Sequence, residues 1–192
     1  MGAETGKANI RRMTAGYFDK YFVGYGIDIG CGEDKLCLSD VARVRPWDET
    51  LGHGDAQKMK GVADNFFDFV YSSHCLEHLA NPEEALKNWW RILKPGGYLF
   101  VEVPDEDLYE QGVWPSRFNG GHRTSWTIWK EKSWCKASQN VLDHIRHLPS
   151  SYIIKVALED ANYDYSKLRS GFDQSCLPDV EVSIEFILQK LE

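Results

Sequence analysis

Four side chains of this sequence are suited to taking a proton from a substrate near neutral pH. They are His74 and His78, either side of a Cys-Leu-Glu run, His122 in a glycine-flanked stretch, and Asp105 just after an apolar segment. Arg123, next to His122, adds a planar cation that matches carboxylate or phosphate geometry. Far upstream, Asp28 stands two residues before Gly30 in the run Ile27-Asp28-Ile29-Gly30-Cys31-Gly32. Glycines at that spacing accept positive φ and let a ligand approach bare backbone, which makes this turn the candidate binding loop. The full dinucleotide fingerprint Gly-x-Gly-x-x-Gly fails, because Lys35 stands where its last glycine belongs, so a diphosphate cofactor is disfavoured. No Cys-x-x-Cys pair is present and no metal is expected; Gly-x-Ser-x-Gly is absent as well, which leaves a hydrolase triad unsupported.

These groups need elements to hold them. Residues 23–29 read as a buried parallel strand running into the glycine turn, and residues 33–38 as the start of a helix whose free N–H groups face the ligand. Residues 41–45 alternate with period two and predict the second strand. It leads to Asp48, at about the distance past the glycines where α/β nucleoside sites hold ribose hydroxyls, though a plain turn acid before Glu49-Thr50 fits equally. Residues 65–73 predict another strand, followed by a short helix. Asn81-Pro82-Glu83-Glu84 then starts a longer helix, with Asn81 as cap, Pro82 in the first turn and Glu84 closing a capping box. Ala85, Leu86, Trp89, Ile92 and Leu93 give it an apolar stripe, Lys94-Pro95-Gly96-Gly97 makes a turn, and residues 98–104 form the next strand. The long Gly-, Pro- and Trp-rich stretch 105–127 belongs at the ligand crevice, because it follows the carboxyl end of a parallel strand. Residues 129–148 have a mixed helical pattern, and 151–158 and 180–188 read as two late strands. Ahead of everything, Ile10, Met13, Tyr17, Phe18 and Tyr21 lie near helical spacing and predict one amphipathic helix over residues 8–22 with its apolar face in the core. Arg11, Arg12 and Lys20 are its expected solvated face.

A chain of 192 residues with 43% hydrophobic content suits one domain over residues 1–192, with a substantial core. No apolar run approaches the roughly 18 residues of a membrane span, and no apolar segment follows the N-terminus. Five cysteines, an odd number, read as reduced thiols of a cytoplasmic protein. A formal charge of -7 disfavours nucleic acid as partner, since phosphate neutralisation needs a basic face.

The pattern Asp28, Gly30, Gly32 resembles the first motif of class I S-adenosylmethionine (SAM) dependent methyltransferases, with Asp34 in place of that motif's third glycine. The block from Phe67-Asp68 through Leu76-Glu77-His78-Leu79 and Pro82 to Leu93-Lys94-Pro95-Gly96-Gly97 and Pro104 resembles a second, longer stretch of the same family. The resemblance implies a Rossmann-like α/β three-layer sandwich: a mostly parallel sheet of seven strands, or a trimmed version, closed by a C-terminal antiparallel hairpin. Only a few residues separate Asp48 from Gly54-Asp55-Ala56, which favours the trimmed form. It implies SAM as cofactor and S-adenosylhomocysteine as product. Asp28, Gly30, Cys31, Gly32, Asp48, Asp55, Ala56, Ser72, Ser73 and His74 would hold the cofactor, Asp55 by accepting from the adenine amino group. Tyr17 and Tyr21, from a segment that often covers the pocket in this family, would join Asp105 and Arg123 in binding substrate, with His122 or His78 as the catalytic base.

Methyl transfer from SAM is an in-line displacement, so the protein chiefly aligns the acceptor and, for a hydroxyl, removes its proton. The absence of an Asp/Asn-Pro-Pro-Tyr/Phe motif argues against amino methylation of DNA bases or glutamine. The Gly-Asp-Ala segment and the His-Arg-Thr segment resemble trimmed domains of polysaccharide and capsule biosynthesis, which implies a small or glycan-linked acceptor methylated at oxygen. Two alternatives stay open: a SAM-binding partner domain without activity, and an NAD- or nucleotide-sugar-binding Rossmann domain.

Overall fold

A single mixed sheet organises the chain in the computed structural model, which describes residues 4–36 and 42–192. Its strands are β1 (Gly24–Ile29), β2 (Ala42–Trp47), β3 (Phe67–Ser73), β4 (Leu93–Pro104), β7 (Ser151–Glu159) and β8 (Ser183–Lys190), in the order β2-β1-β3-β4-β8-β7. The first four are parallel, β8 runs antiparallel to both β4 and β7, and the pair β7–β8 is the expected closing hairpin. The main sheet has six strands among the described residues, the trimmed form rather than seven. The short connection after Asp48 reaches β3 through turns, so β2 is left as the edge. A second, two-stranded sheet joins β5 (Ser125–Thr127) to β6 (Ser138–Asn140).

Period-two alternation sends side chains to both faces of the sheet. Phe67 and Val70 of β3, Leu99, Val101 and Val103 of β4, and Phe186 and Leu188 of β8 join one core with Ala85, Leu86, Trp89 and Ile92 of α3 (Pro82–Ile92). Phe69, Tyr71, Phe100 and Ile187 join the other, with Tyr21 and Phe22. Each fully buried large side chain contributes about 1.5–3 kcal/mol, so two covered faces hold the sheet between layers. The cap of α3 is as the sequence suggests, Asn81 Oδ1 accepting from Glu84 N at 3.1 Å. The return leg of the capping box differs: Gln57 inserts, its Oε1 accepting from Asn81 N and its Nε2 donating to Glu84. Between residues 129 and 148 the only helix is α4 (Val141–Ile145), short and capped by Asn140.

The N-terminal helix departs most from expectation. It is two pieces, α1 (Glu4–Thr14) and α2 (Tyr17–Lys20), broken at Gly16 with φ 70°. The buried face of α1 is Thr5, Ala8 and Arg12, whereas Ile10 and Met13 are 71% and 64% exposed. Charge, not apolar area, sets this rotation. Neighbouring strands place Glu102 of β4 directly opposite Glu185 of β8, facing α1, and two buried carboxylates need cations. Fully buried Arg12 answers them, donating to Glu102 (2.7 Å), Glu185 (3.0 Å) and the Tyr71 hydroxyl (2.8 Å). Arg11 pairs with Glu181 and Glu185. The expectation that these arginines form a solvated face is therefore wrong for Arg12 and for most of Arg11.

Candidate active site

The chain turns sharply after β1. Gly30 has φ 75° and Gly32 φ 48°, both in the left-handed region that favours glycine. The two glycines serve different ends. A Cβ on Gly30 would lie 2.4 Å from Cys75 Cβ, so that glycine is required by protein packing, while a Cβ on Gly32 would meet nothing within 4 Å. Gly32 is thus the position where bare backbone faces open space. Residues 32–36 form turns and bends rather than the first turn of a helix; the rest of that predicted helix, and Val41 of the predicted strand, lie outside the described residues. Asp34, which replaces the third glycine, has its own use: its Oδ2 accepts from Thr5 N at 2.8 Å, so it caps α1. Asp28 is 2% exposed and its Oδ2 accepts from Leu36 N at 2.7 Å. Burial outweighs that bond and raises its pKa to about 7. Asp48 Oδ2 accepts from Gly32 N at 3.1 Å, tying the end of β2 to the turn. Burial opposes ionisation of Asp48, but donors from Thr50 and Gly32 override it and its pKa is lowered.

The turn opens into a cavity of about 780 Å³ at the carboxyl ends of the parallel strands, the place where open α/β sheets hold ligands. Asp28 lines it from β1, Gly30, Cys31 and Gly32 from the turn that follows, Ser73 from the end of β3, and His74, His78 and His122 from the segments beyond. Burial, then Asp28, raises the pKa of the Cys31 thiol. Ser72 is turned inward, its hydroxyl donating to Ile29 O at 2.9 Å. Other expected site residues lie off the cavity lining. Asp55 accepts from Gln57 N and Lys58 N in a turn of its own, and the carbonyl of Ala56 accepts from Trp89 Nε1. Tyr17 and Tyr21 pack edge-on with each other and Tyr17 edge-on to Phe100, on the α1–α2 side of the sheet. Asp105 accepts from the backbone of Asp107 and Leu108, which caps the turn after β4, and burial raises its pKa to about 6. Arg123 is exposed and is fixed through its backbone, donating to Glu77 O.

The lining of the same cavity carries a group of acids and imidazoles. Glu77 is fully buried at the cavity surface, and neither of its carboxylate oxygens has a hydrogen-bond partner. Around it stand His74 Nδ1 at 3.5 Å, His78 Nε2 at 3.9 Å and His122 Nε2 at 3.9 Å, all measured to Oε1. Burial opposes the charge on each partner, yet together His74 goes up to about 9 and Glu77 is lowered. Behind them Glu110 Oε1 accepts from His122 Nδ1 at 2.7 Å, which fixes the tautomer and leaves Nε2 directed at the cavity. Sequence reasoning found the histidines but missed Glu77 and Glu110. The available signal was the His74-x-x-x-His78 spacing with an acid inside it.

A family described as "Methyltransferase domain" matches residues 11–101, which contain the glycine turn and the Leu-Glu-His segment. Residues 11–101 are thus similar to a methyltransferase domain, the sheet order and the acid–glycine turn agree with that likeness, and the cofactor it implies is SAM. The open face of Gly32, with buried Asp28 beside it and Asp48 bonded to it, fits that cofactor. Among curated proteins, the ubiquinone/menaquinone biosynthesis C-methyltransferase UbiE of Roseobacter denitrificans is 29% identical over 129 residues, covering 61% of this chain and 46% of its own length. The chain thus spans about half the length of that relative. The protein of the same description from Vibrio cholerae is 45% identical over 38 residues, 20% of this chain and 15% of its own. Among solved structures, a SAM-dependent methyltransferase from Archaeoglobus fulgidus superposes with a TM-score of 0.60 at 19% identity, covering 98% of this chain and 95% of that one. That last likeness is one of fold. No helix of the described residues is long and apolar enough to cross a membrane.

Proposed function

We propose that the chain transfers the methyl group of SAM to an oxygen of a small-molecule or glycan-linked acceptor, such as a polysaccharide or capsule precursor, in the cytoplasm. The observation that carries this is the Glu110–His122 pair at 2.7 Å, whose histidine lines the same cavity as the glycine turn. Bound SAM supplies an electrophilic methyl carbon next to a sulfonium. Gly32 offers it an open backbone position and Asp28 a carboxylate for its cationic end, while Asp48, off the cavity lining, holds the turn through Gly32 N. The part of the cavity with Glu77, His78 and His122 meets the acceptor hydroxyl: as its oxygen attacks the methyl carbon and S-adenosylhomocysteine leaves, the proton passes to an imidazole of this group. Holding the two partners across one enclosed crevice is the larger part of the rate enhancement.

A second reading, methylation at carbon of a hydroxylated ring, draws on the similarity to UbiE and on Tyr109 and Phe118 in the cavity lining. Calorimetry with SAM and S-adenosylhomocysteine tests the cofactor. Turnover with labelled SAM over a panel of sugars, sugar phosphates and phenols tests the acceptor, and the NMR shift of the new methyl separates O- from C-methyl products. Tight SAM binding without turnover on any acceptor would leave a binding domain; saturable NAD binding in place of SAM would overturn both readings.

A further inference from the structure

We infer that Glu77, His78 and His122 form a site for one divalent transition-metal ion of the zinc type, with Glu110 as the residue that orients His122. One carboxylate oxygen and two imidazole nitrogens lie within 4.8 Å of one another at this point. Four-coordinate zinc with bonds of about 2.1 Å places its ligands roughly 3.4 Å apart. The two Nε2 atoms are each 3.9 Å from Glu77 Oε1 and all three ligand atoms lie within 4.8 Å of one another, so closure needs side-chain shifts of about 0.5 to 1.5 Å.

Three features point to a cation rather than to a chance cluster. First, Glu77 is fully buried and neither of its oxygens is within hydrogen-bond geometry of a partner, so His74 at 3.5 Å offsets its charge only in part. Second, Glu110 accepts from His122 Nδ1, the carboxylate–histidine arrangement that orients the ring and leaves Nε2 as its ligand atom. Third, the imidazoles are held in place by packing: His122 lies against Tyr109 with centroids 5.2 Å apart and meets His78 edge-on at 4.9 Å. His74 is the rival account of the buried carboxylate, as a protonated partner of Glu77. Its Nδ1 stands 3.5 Å away, too far for a strong charged hydrogen bond, and its Nε2 is engaged with Ser183 Oγ at 3.2 Å. Two imidazoles and one carboxylate suit zinc, iron(II), cobalt(II) or nickel(II) rather than magnesium or calcium, which prefer all-oxygen sites. The remaining coordination positions open on the cavity, where water or an acceptor oxygen completes them. The site stands on its own geometry and does not depend on the acceptor proposed above.

The test is zinc(II) titration of chelator-stripped protein against a chromophoric competitor, with cobalt(II) absorption as a spectroscopic check. Stoichiometric binding of one ion is expected, with His78→Ala and His122→Ala losing it. Glu110→Gln, nearly isosteric and not a ligand, is expected to weaken affinity 10- to 100-fold. A variant-free arm guards against misfolding: zinc should protect His78 of the unaltered protein from diethyl pyrocarbonate, read by mass spectrometry. Absence of stoichiometric uptake, unchanged uptake in both His78→Ala and Glu77→Gln, or unaltered labelling of His78 would each overturn the site. SAM affinity measured alongside keeps this outcome separate from that of the methyl-transfer reading.

Discussion

Asp28 is a carboxylate whose burial makes the protein less stable as pH rises, and Asp28→Asn isolates that effect. The ordinary pKa is 3.8 and the folded value about 7, because burial outweighs the bond from Leu36 N. A group with its folded pKa raised binds protons more tightly when folded, so its stabilising contribution is full below pH 3.8 and is lost as pH climbs through 7. At about 1.4 kcal/mol per pH unit, the whole effect is roughly 4 kcal/mol, nearly all of it spent by pH 8. Asparagine keeps an oxygen for Leu36 N and has no charge to bury. Urea unfolding at pH 5.5 and 7.5 should show the stability of Asp28→Asn relative to the unaltered protein rising by about 2 kcal/mol between the two pH values. Added SAM should narrow the gap at pH 7.5, since a cation over Asp28 favours the charged form that asparagine lacks. Parallel pH profiles for the two proteins would refute the argument, because they would mean that Asp28 titrates alike folded and unfolded.

The glycine pair separates packing from binding. Gly30→Ala should destabilise the fold by roughly 2–5 kcal/mol, combining left-handed strain with a clash at Cys75, while Gly32→Ala should cost only about 1–2 kcal/mol yet weaken SAM binding more than tenfold; thermal melts and calorimetry read the two effects. Arg12→Ala should destabilise by about 3–5 kcal/mol, as it leaves Glu102 and Glu185 buried without their main cation, and chemical denaturation with circular dichroism would measure it. Asp34→Ala should cost about 1 kcal/mol through the lost cap of α1 and should speed hydrogen exchange at Thr5 and Gly6.

Strands and the α3 helix were legible because their signals are local. Alternation in β3 and β4, and the Asn81-Pro82 start of α3, depend on neighbours a few residues away. The N-terminal helix was misread for the opposite reason. Its apolar residues suggest one buried face, but the carboxylates that choose the face lie on β4 and β8, far along the chain, and only the sheet register brings Glu102 against Glu185. The turn at Gly30 was placed correctly and its purpose partly misassigned: the close neighbour is Cys75, which pairing between β1 and β3 delivers. On the crevice wall the histidines stood out by residue type. Glu110, whose value lies wholly in meeting His122, carried no signal of its own.

The cap that Asp34 gives α1 joins two parts of the molecule that the sequence keeps well apart. The same short turn that exposes Gly32 also grips the first amides of the helix whose Arg12 neutralises the charges under the sheet. The crevice loop and the anchor of the amino-terminal arm thus share one carboxylate, that of Asp34.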